Sequence, residues 1–406
     1  MSLVRLSLAY MRLRLATTLL SVALLALGVC TIVVLLLLGH QLRNRIEAEI
    51  RGIDLVVGAK GSPLQLLLSA VFQVDVPTGN VPLAEVEKIR RHPLVARSFP
   101  IALGDSALGF RLIGTEPELL ADRGGKIAQG RLWEAPMEAV LGNEVARATG
   151  LALGQPFVGS HGLTGGLLHA DHPYTVVGIA GRTGTALDRV ILTAVESVWQ
   201  VHERPDAAAR GGPRGPAGTE AHAEEDREIT ALLVRYRTPL AAVQLPRLVN
   251  AQPSLQAAVP AFEAARLLAV VGVGLDALRL FGVLLMGAAA LSVLVALTNA
   301  LTDRRADLAL MRVLGATRGL LVRSLVLEAL LLTCVGLVVG MAMGHGLVEL
   351  VGRLVPQADA VGLTGSVLAR GELWLIPAAL ALGLLATALP AVRAYRSDLV
   401  GTLSRG

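Results

Sequence analysis

Long apolar stretches and short alternating ones divide this chain into two regimes. Residues 16–38 run for 23 positions without a charge, enough at 1.5 Å per residue to cross the roughly 30 Å hydrocarbon layer of a bilayer. Its apolar core is long for a cleaved leader and no clean A-x-A site follows, so it reads as a retained span. Three more such stretches follow, at 274–300, 324–344 and 373–392, the third carrying Glu328 and the fourth Pro377 and Pro390. Between the first and second lie residues 39–273, where apolar positions come in short runs. There Asp54–Gly58, Tyr174–Ile179, Val190–Thr193 and Glu228–Tyr236 read as strands. Pro82–Arg91 and Ala135–Thr149 read as helices, Pro239–Ala264 as mainly helical, and His40–Leu55 as an extension of the first span. Residues 205–225, rich in Ala, Gly and Pro with a closing acidic cluster, have little to bury and read as a disordered loop. The expected fold is an α-helical membrane protein with four transmembrane helices in a one-plus-three order and a large extracytoplasmic α+β domain between helices one and two.

Charge orients these elements. Residues 1–15, 301–323 and 393–406 together hold eleven basic residues against three acidic ones, whereas Gln41–Val273 holds 23 basic and 24 acidic. The basic excess marks the first three as cytoplasmic, with both termini inside the cell membrane, 39–273 outside it, and 345–372 as a second outer loop. The formal net charge of +5 thus reflects topology, and a nucleic-acid partner is not indicated. A composition of 53% hydrophobic and 17% charged residues excludes a wholly soluble protein. Cys30 and Cys334 both lie in apolar runs, which argues against a disulfide framework.

Little in the chain points to catalysis. His161, His169 and His172, with Asp171, form a cluster that could supply metal ligands, but the spacing fits no fixed motif. A surface loop with ordinary histidines is the simpler reading. Gly58-Ala-Lys-Gly-Ser62 lacks the order of a phosphate loop. No catalytic, cofactor or metal residue is assigned. Glu328 lies one turn inside a span, where a charge must pair, protonate or reach the interface. Gly336, Gly340 and Gly344 repeat at four-residue spacing and make a smooth strip for close helix packing, within the subunit or between two copies. The loop after span two carries the strongest pattern. Leu308, Leu310, Met311 and Leu314 form an apolar strip flanked by Arg304, Arg305 and Arg312, with Asp303 placed to open a short helix and Gly315 to close it.

That loop, Arg304-Arg-Ala-Asp-Leu-Ala-Leu-Met-Arg-Val-Leu-Gly-Ala-Thr317, and the ending Pro390-Ala-Val-Arg-Ala-Tyr-Arg-Ser-Asp-Leu-Val400 resemble the FtsX-like and MacB-like permease family of type VII ABC systems. The Arg-rich start and the one-plus-three order agree. Asp307 stands where the family usually has glutamate, and Leu399 where it has proline. The resemblance implies a permease subunit with no enzymatic activity of its own. It implies a separate cytoplasmic ABC ATPase in two copies, which would hold ATP and Mg, and a second permease copy or homologue. An extracytoplasmic adaptor is a further implied partner, and the lipid bilayer the surroundings. Arg304, Arg305, Asp307, Leu310, Met311, Arg312, Leu314 and Gly315 would form the ATPase-coupling helix, and the complex would work by mechanotransmission. The implied substrate is a peptide, lipoprotein or hydrophobic small molecule. The alternative is a scaffold that transports nothing and regulates an outer partner such as a cell-wall hydrolase.

Overall fold

The computed structural model describes residues 11–13, 15–162, 171–202, 227–303, 317–355 and 362–396. The chain divides into a helical unit, residues 1–44 with 269–406, and a sheet unit, residues 45–268.

Four helices build the helical unit: α1 (Leu15–Ile50), α8 (Pro260–Asp303), α9 (Arg318–Leu354) and α10 (Glu372–Arg396). Each contains a window long and apolar enough to cross a membrane. Leu25, Val29, Val33 and Leu37 of α1, spaced by four, pack with Met286 and Ala289 of α8, Leu337 and Val348 of α9, and Leu375 and Ala379 of α10. A four-residue repeat puts these side chains on one stripe, so α1 lies at the centre of the helical core. Only 28% of the apolar window of α8 is buried, which leaves most of its surface for lipid or another chain. Residues 304–316, with every proposed coupling residue from Arg304 to Gly315, and residues 205–225 lie outside the described residues. Asp303, expected to open the coupling helix, is the last residue of α8.

The sheet unit is built on one mixed sheet, ordered β13-β1-β12-β3-β4-β10-β6-β9-β5. Its strands are β1 (Leu55–Ala59), β3 (Val95–Ala107), β4 (Phe110–Thr115), β5 (Ile127–Gly130), β6 (Glu138–Leu141), β9 (Tyr174–Ala180), β10 (Val190–Ala194), β12 (Ala231–Tyr236) and β13 (Leu255–Ala258). The β4–β10 and β6–β9 pairs are parallel and the other neighbours antiparallel. Short strands β7 (Pro156–Phe157) and β8 (Ser160–His161) join β9 and β3, and β2 (Val81–Pro82) pairs with β11 (Glu228–Ile229).

Both faces of the sheet are covered. Val56 faces Leu66 and Leu67 of α2 (Pro63–Ala70) and Leu119 and Leu120 of α4 (Glu118–Asp122). Its neighbours Leu55 and Val57 turn to the other face, against Val86 and Ile89 of α3 (Leu83–Arg90), Val198 of α6 (Val195–His202) and Leu245 of α7 (Ala241–Asn250). Burial on both sides explains why β1 reads as a continuous apolar run. A third cluster joins Val145 of α5 (Asn143–Thr149) to Leu141, Ile191 and Tyr174.

Two sequence expectations are corrected here. Ala135–Thr149 is not one helix. Met137 takes a left-handed backbone, φ 67°, Glu138–Leu141 is strand β6, and the helix begins only at Asn143. Val140 and Leu141 face opposite clusters, which a strand allows and one helical face does not. Pro239–Ala264, expected to be mainly helical, is interrupted where β13 pairs with β1 between α7 and α8. Thr230 breaks Glu228–Tyr236 into β11 and β12, donating its hydroxyl to Asn80 and accepting the Leu103 N–H at 2.9 Å.

Candidate functional site

The coupling and packing residues assigned from the sequence belong to the helical unit, and the described ones are the glycine strip of α9. A methyl placed on Gly336 would meet the Leu25 side chain at 2.7 Å, one on Gly340 the Ala26 carbonyl at 2.6 Å, and one on Gly344 the Val33 side chain at 2.7 Å. The three glycines therefore face α1 of the same subunit, and its backbone approaches closest at Gly340. Close approach of this kind replaces side-chain interdigitation by backbone contact and defines one register. Gly28 of α1 meets Met286 of α8 in the same way, at 2.9 Å.

Polar groups hold this packing at several heights. The hydroxyls of Ser21 and Ser292 lie 3.0 Å apart, joining α1 to α8. Glu328 is 7% exposed, so it is enclosed among the helices and does not reach outward to solvent. Beyond the glycines, residues 362–371 lie back on the helices. Gln41 donates to the Thr364 carbonyl at 2.8 Å and accepts the Thr364 N–H at 2.9 Å, as a neighbouring strand would. Glu349 accepts the Thr364 hydroxyl and the Gly365 N–H. The two ring nitrogens of His345 face the Gly365 carbonyl and the Glu372 carboxylate, at 2.6 and 2.9 Å. Sequence reading missed this clasp: its residues are ordinary polar side chains scattered over 330 positions, with no local spacing to mark them.

In the sheet unit, the last turn of α1 is fastened by charge. Arg123, 6% exposed at its side chain, donates to the carbonyls of Glu49 and Arg51, and its guanidinium is 3.9 Å from the Glu49 carboxylate. Arg45 pairs with Glu49 at 3.1 Å and donates to the Gly184 carbonyl at 2.6 Å. Burial pulls the Arg123 guanidinium down from its usual range, against the Glu49 charge that holds it up. Cations at a helix C-terminus satisfy carbonyls that no intrahelical N–H reaches.

The histidine cluster is not assembled into a metal centre among the described residues. His161 ends β8 with Nδ1 3.6 Å from Asp105, His172 precedes β9, and His169 lies outside the described residues.

Residues 279–399 match the family of the FtsX-like permease C-terminal region, and residues 18–207 match the MacB-like periplasmic core domain. No curated protein matches the chain. Three solved structures are similar to parts of it. The periplasmic region of MacB from Actinobacillus actinomycetemcomitans is 12% identical, covering 55% of this chain and 97% of its own, with a TM-score of 0.35. The extracellular domain of the noncanonic ABC-type transporter YknZ from Gram-positive bacteria is 9% identical, covering 50% and 98%, with a TM-score of 0.31. A domain of a putative permease protein from Porphyromonas gingivalis is 16% identical, covering 50% and 80%, with a TM-score of 0.28. With the four apolar helices, the two family matches, which together span most of the chain, make it a multi-pass membrane protein that belongs to the FtsX-like, MacB-like permease family of ABC-type transporters.

Proposed function

We propose that this chain is the membrane subunit of an ABC-type machine in which a separate cytoplasmic ATPase, docked on residues 304–317, drives movement of the sheet unit. The observation that supports this reading most is the continuity of α1 and α8. Each passes unbroken through the boundary between units, at Asn44/Arg45 and Leu268/Ala269. A continuous hydrogen-bonded helix transmits displacement along its axis with little loss, because its backbone bonds are satisfied throughout. The positive-inside charge pattern favours a cytoplasmic position for 304–317, where the ATPase would reach it. On this reading the functional unit pairs two permease chains with two ATPase chains, and ATP and Mg are held by the ATPase.

The experiment is a mild-detergent purification of the tagged protein from its native cell, followed by identification of the chains that accompany it. An ATPase that co-purifies with wild type and is lost or uncoupled by Leu310→Asp carries the reading. A charge on the apolar strip of a docking helix should weaken seating by about 2 kcal/mol, roughly thirtyfold in affinity, with an unchanged melting temperature. An intact, dimeric protein without any ATPase would point instead to the scaffold role.

A further inference from the structure

The sheet unit contains a groove of about 620 Å³ that none of the preceding roles uses. Its volume falls within the range of roughly 300–1,000 Å³ typical of ligand sites. Trp133 and Trp199 line it, together with four glutamates and two arginines. Arg90 is already neutralised, 3.7 Å from Glu87 and 2.7 Å from Glu116. Arg227 stacks on Trp199, 5.0 Å from the ring centroid, and the indole N–H donates to the Glu228 carbonyl at 2.7 Å, which fixes the ring. Glu134 and Glu196 stand exposed, so the groove carries a negative excess.

Among the described residues, two buried polar atoms here have no partner. Thr115 is 1% exposed and its Oγ1 makes no hydrogen bond, and the Nε of Arg227 is buried without an acceptor. Leaving a buried donor unpaired is costly, and a guanidinium can only donate. The missing group at Arg227 is therefore an acceptor such as a carbonyl oxygen. The ligand must combine that acceptor with positive charge for Glu134 and Glu196 and an apolar part for the exposed Ala135 and Pro136. An anion is disfavoured by the glutamates. A simple alkylamine has no acceptor to offer.

We propose that this groove binds an extended basic peptide segment, with a backbone carbonyl meeting Arg227, an arginine or lysine between Glu134 and Glu196, and an aliphatic or proline side chain against the exposed Ala135 and Pro136. The proposal concerns binding alone and does not rest on the ATPase reading.

The test uses full-length protein in lipid nanodiscs and a fluorescein-labelled nonapeptide alternating arginine, proline and leucine, followed by fluorescence anisotropy. Saturable binding is expected, weakened at least about tenfold in the Glu134→Gln, Glu196→Gln double variant. The same peptide with glutamate in place of arginine should not bind. Melting temperatures of the exposed Glu→Gln variant should equal wild type, so a loss of binding there cannot be a loss of fold. Absence of binding, equal binding of the acidic peptide, or binding indifferent to the double variant would overturn the proposal. So would saturable binding of dodecyltrimethylammonium, titrated on its own, by a protein that does not bind the peptide, which would make the groove a site for small amphiphilic cations. None of these outcomes depends on whether an ATPase co-purifies.

Discussion

At the scale of single residues, two contacts make opposite kinds of statement. Gly340 is defined by what cannot be added. Its missing methyl would press on a backbone oxygen, Ala26 O, which cannot swing aside as a side chain can. Gly346 lies on the same helix with nothing within 4 Å. Gly340→Ala should therefore lower the melting temperature of the purified protein, by about 1–3 kcal/mol of overpacking, while Gly346→Ala should leave it unchanged or slightly raised. Equal effects would mean that the strip is not a close contact. Glu138 is defined by what it gains. Arg131 grips its carboxylate with two hydrogen bonds, at 2.8 and 2.5 Å, and the Glu134 N–H adds a third. The Arg131 bonds first, and then that N–H, hold the carboxyl down at about 2, against an ordinary value of about 4.3. A depressed carboxyl contributes stability that is present above its unfolded value and is lost as pH falls through its folded one. The melting-temperature gap between wild type and Arg131→Met should thus be flat above pH ~5 and should close between about 4 and 2. A gap independent of pH would refute the pairing.

At the scale of elements, the end of α1 depends on one distant side chain. Replacing Arg123 by methionine removes donors from the Glu49 and Arg51 carbonyls and leaves the Glu49 carboxylate, 3% exposed, with Arg45 as its remaining cationic partner. Breaking a buried pair from one side costs about 3–5 kcal/mol. Arg123→Met should show a loss of that order in denaturant unfolding, and adding Glu49→Leu should recover part of it. No recovery would show that Arg123 acts only through the carbonyls. How far elements were legible in sequence follows the same distinction between local and distant partners. The spans were legible because an uncharged run of membrane length has few alternatives. The glycine strip was legible from its spacing, though its partner helix was not. β3 and β4 escaped notice because Arg97, Pro100, Gly104 and Asp105 interrupt any alternation, while the pairing that holds β3 comes from β12 and β4 on either side. Ala135–Thr149 looked helical because Val140, Leu141 and Val145 lie at helical spacing. The turn at Met137 and the parallel pairing with β9 override that local preference.

At the scale of the whole molecule, the strand order has a consequence in time. β1 follows directly on α1, yet both of its neighbours, β12 and β13, come from the end of the sheet unit at residues 231–258. A ribosome adding about 5–20 residues per second needs roughly ten to forty seconds to deliver them. Throughout that interval, Leu55, Val56 and Val57 have emerged without the strands that will cover their hydrogen-bonding edges. Nascent chains arrested before residue 231 should be cut rapidly by protease around 55–59, whereas chains arrested with residues 231–258 fully emerged should resist. The sheet unit thus closes last at the place where it began, and its early strand needs a guardian for as long as synthesis takes.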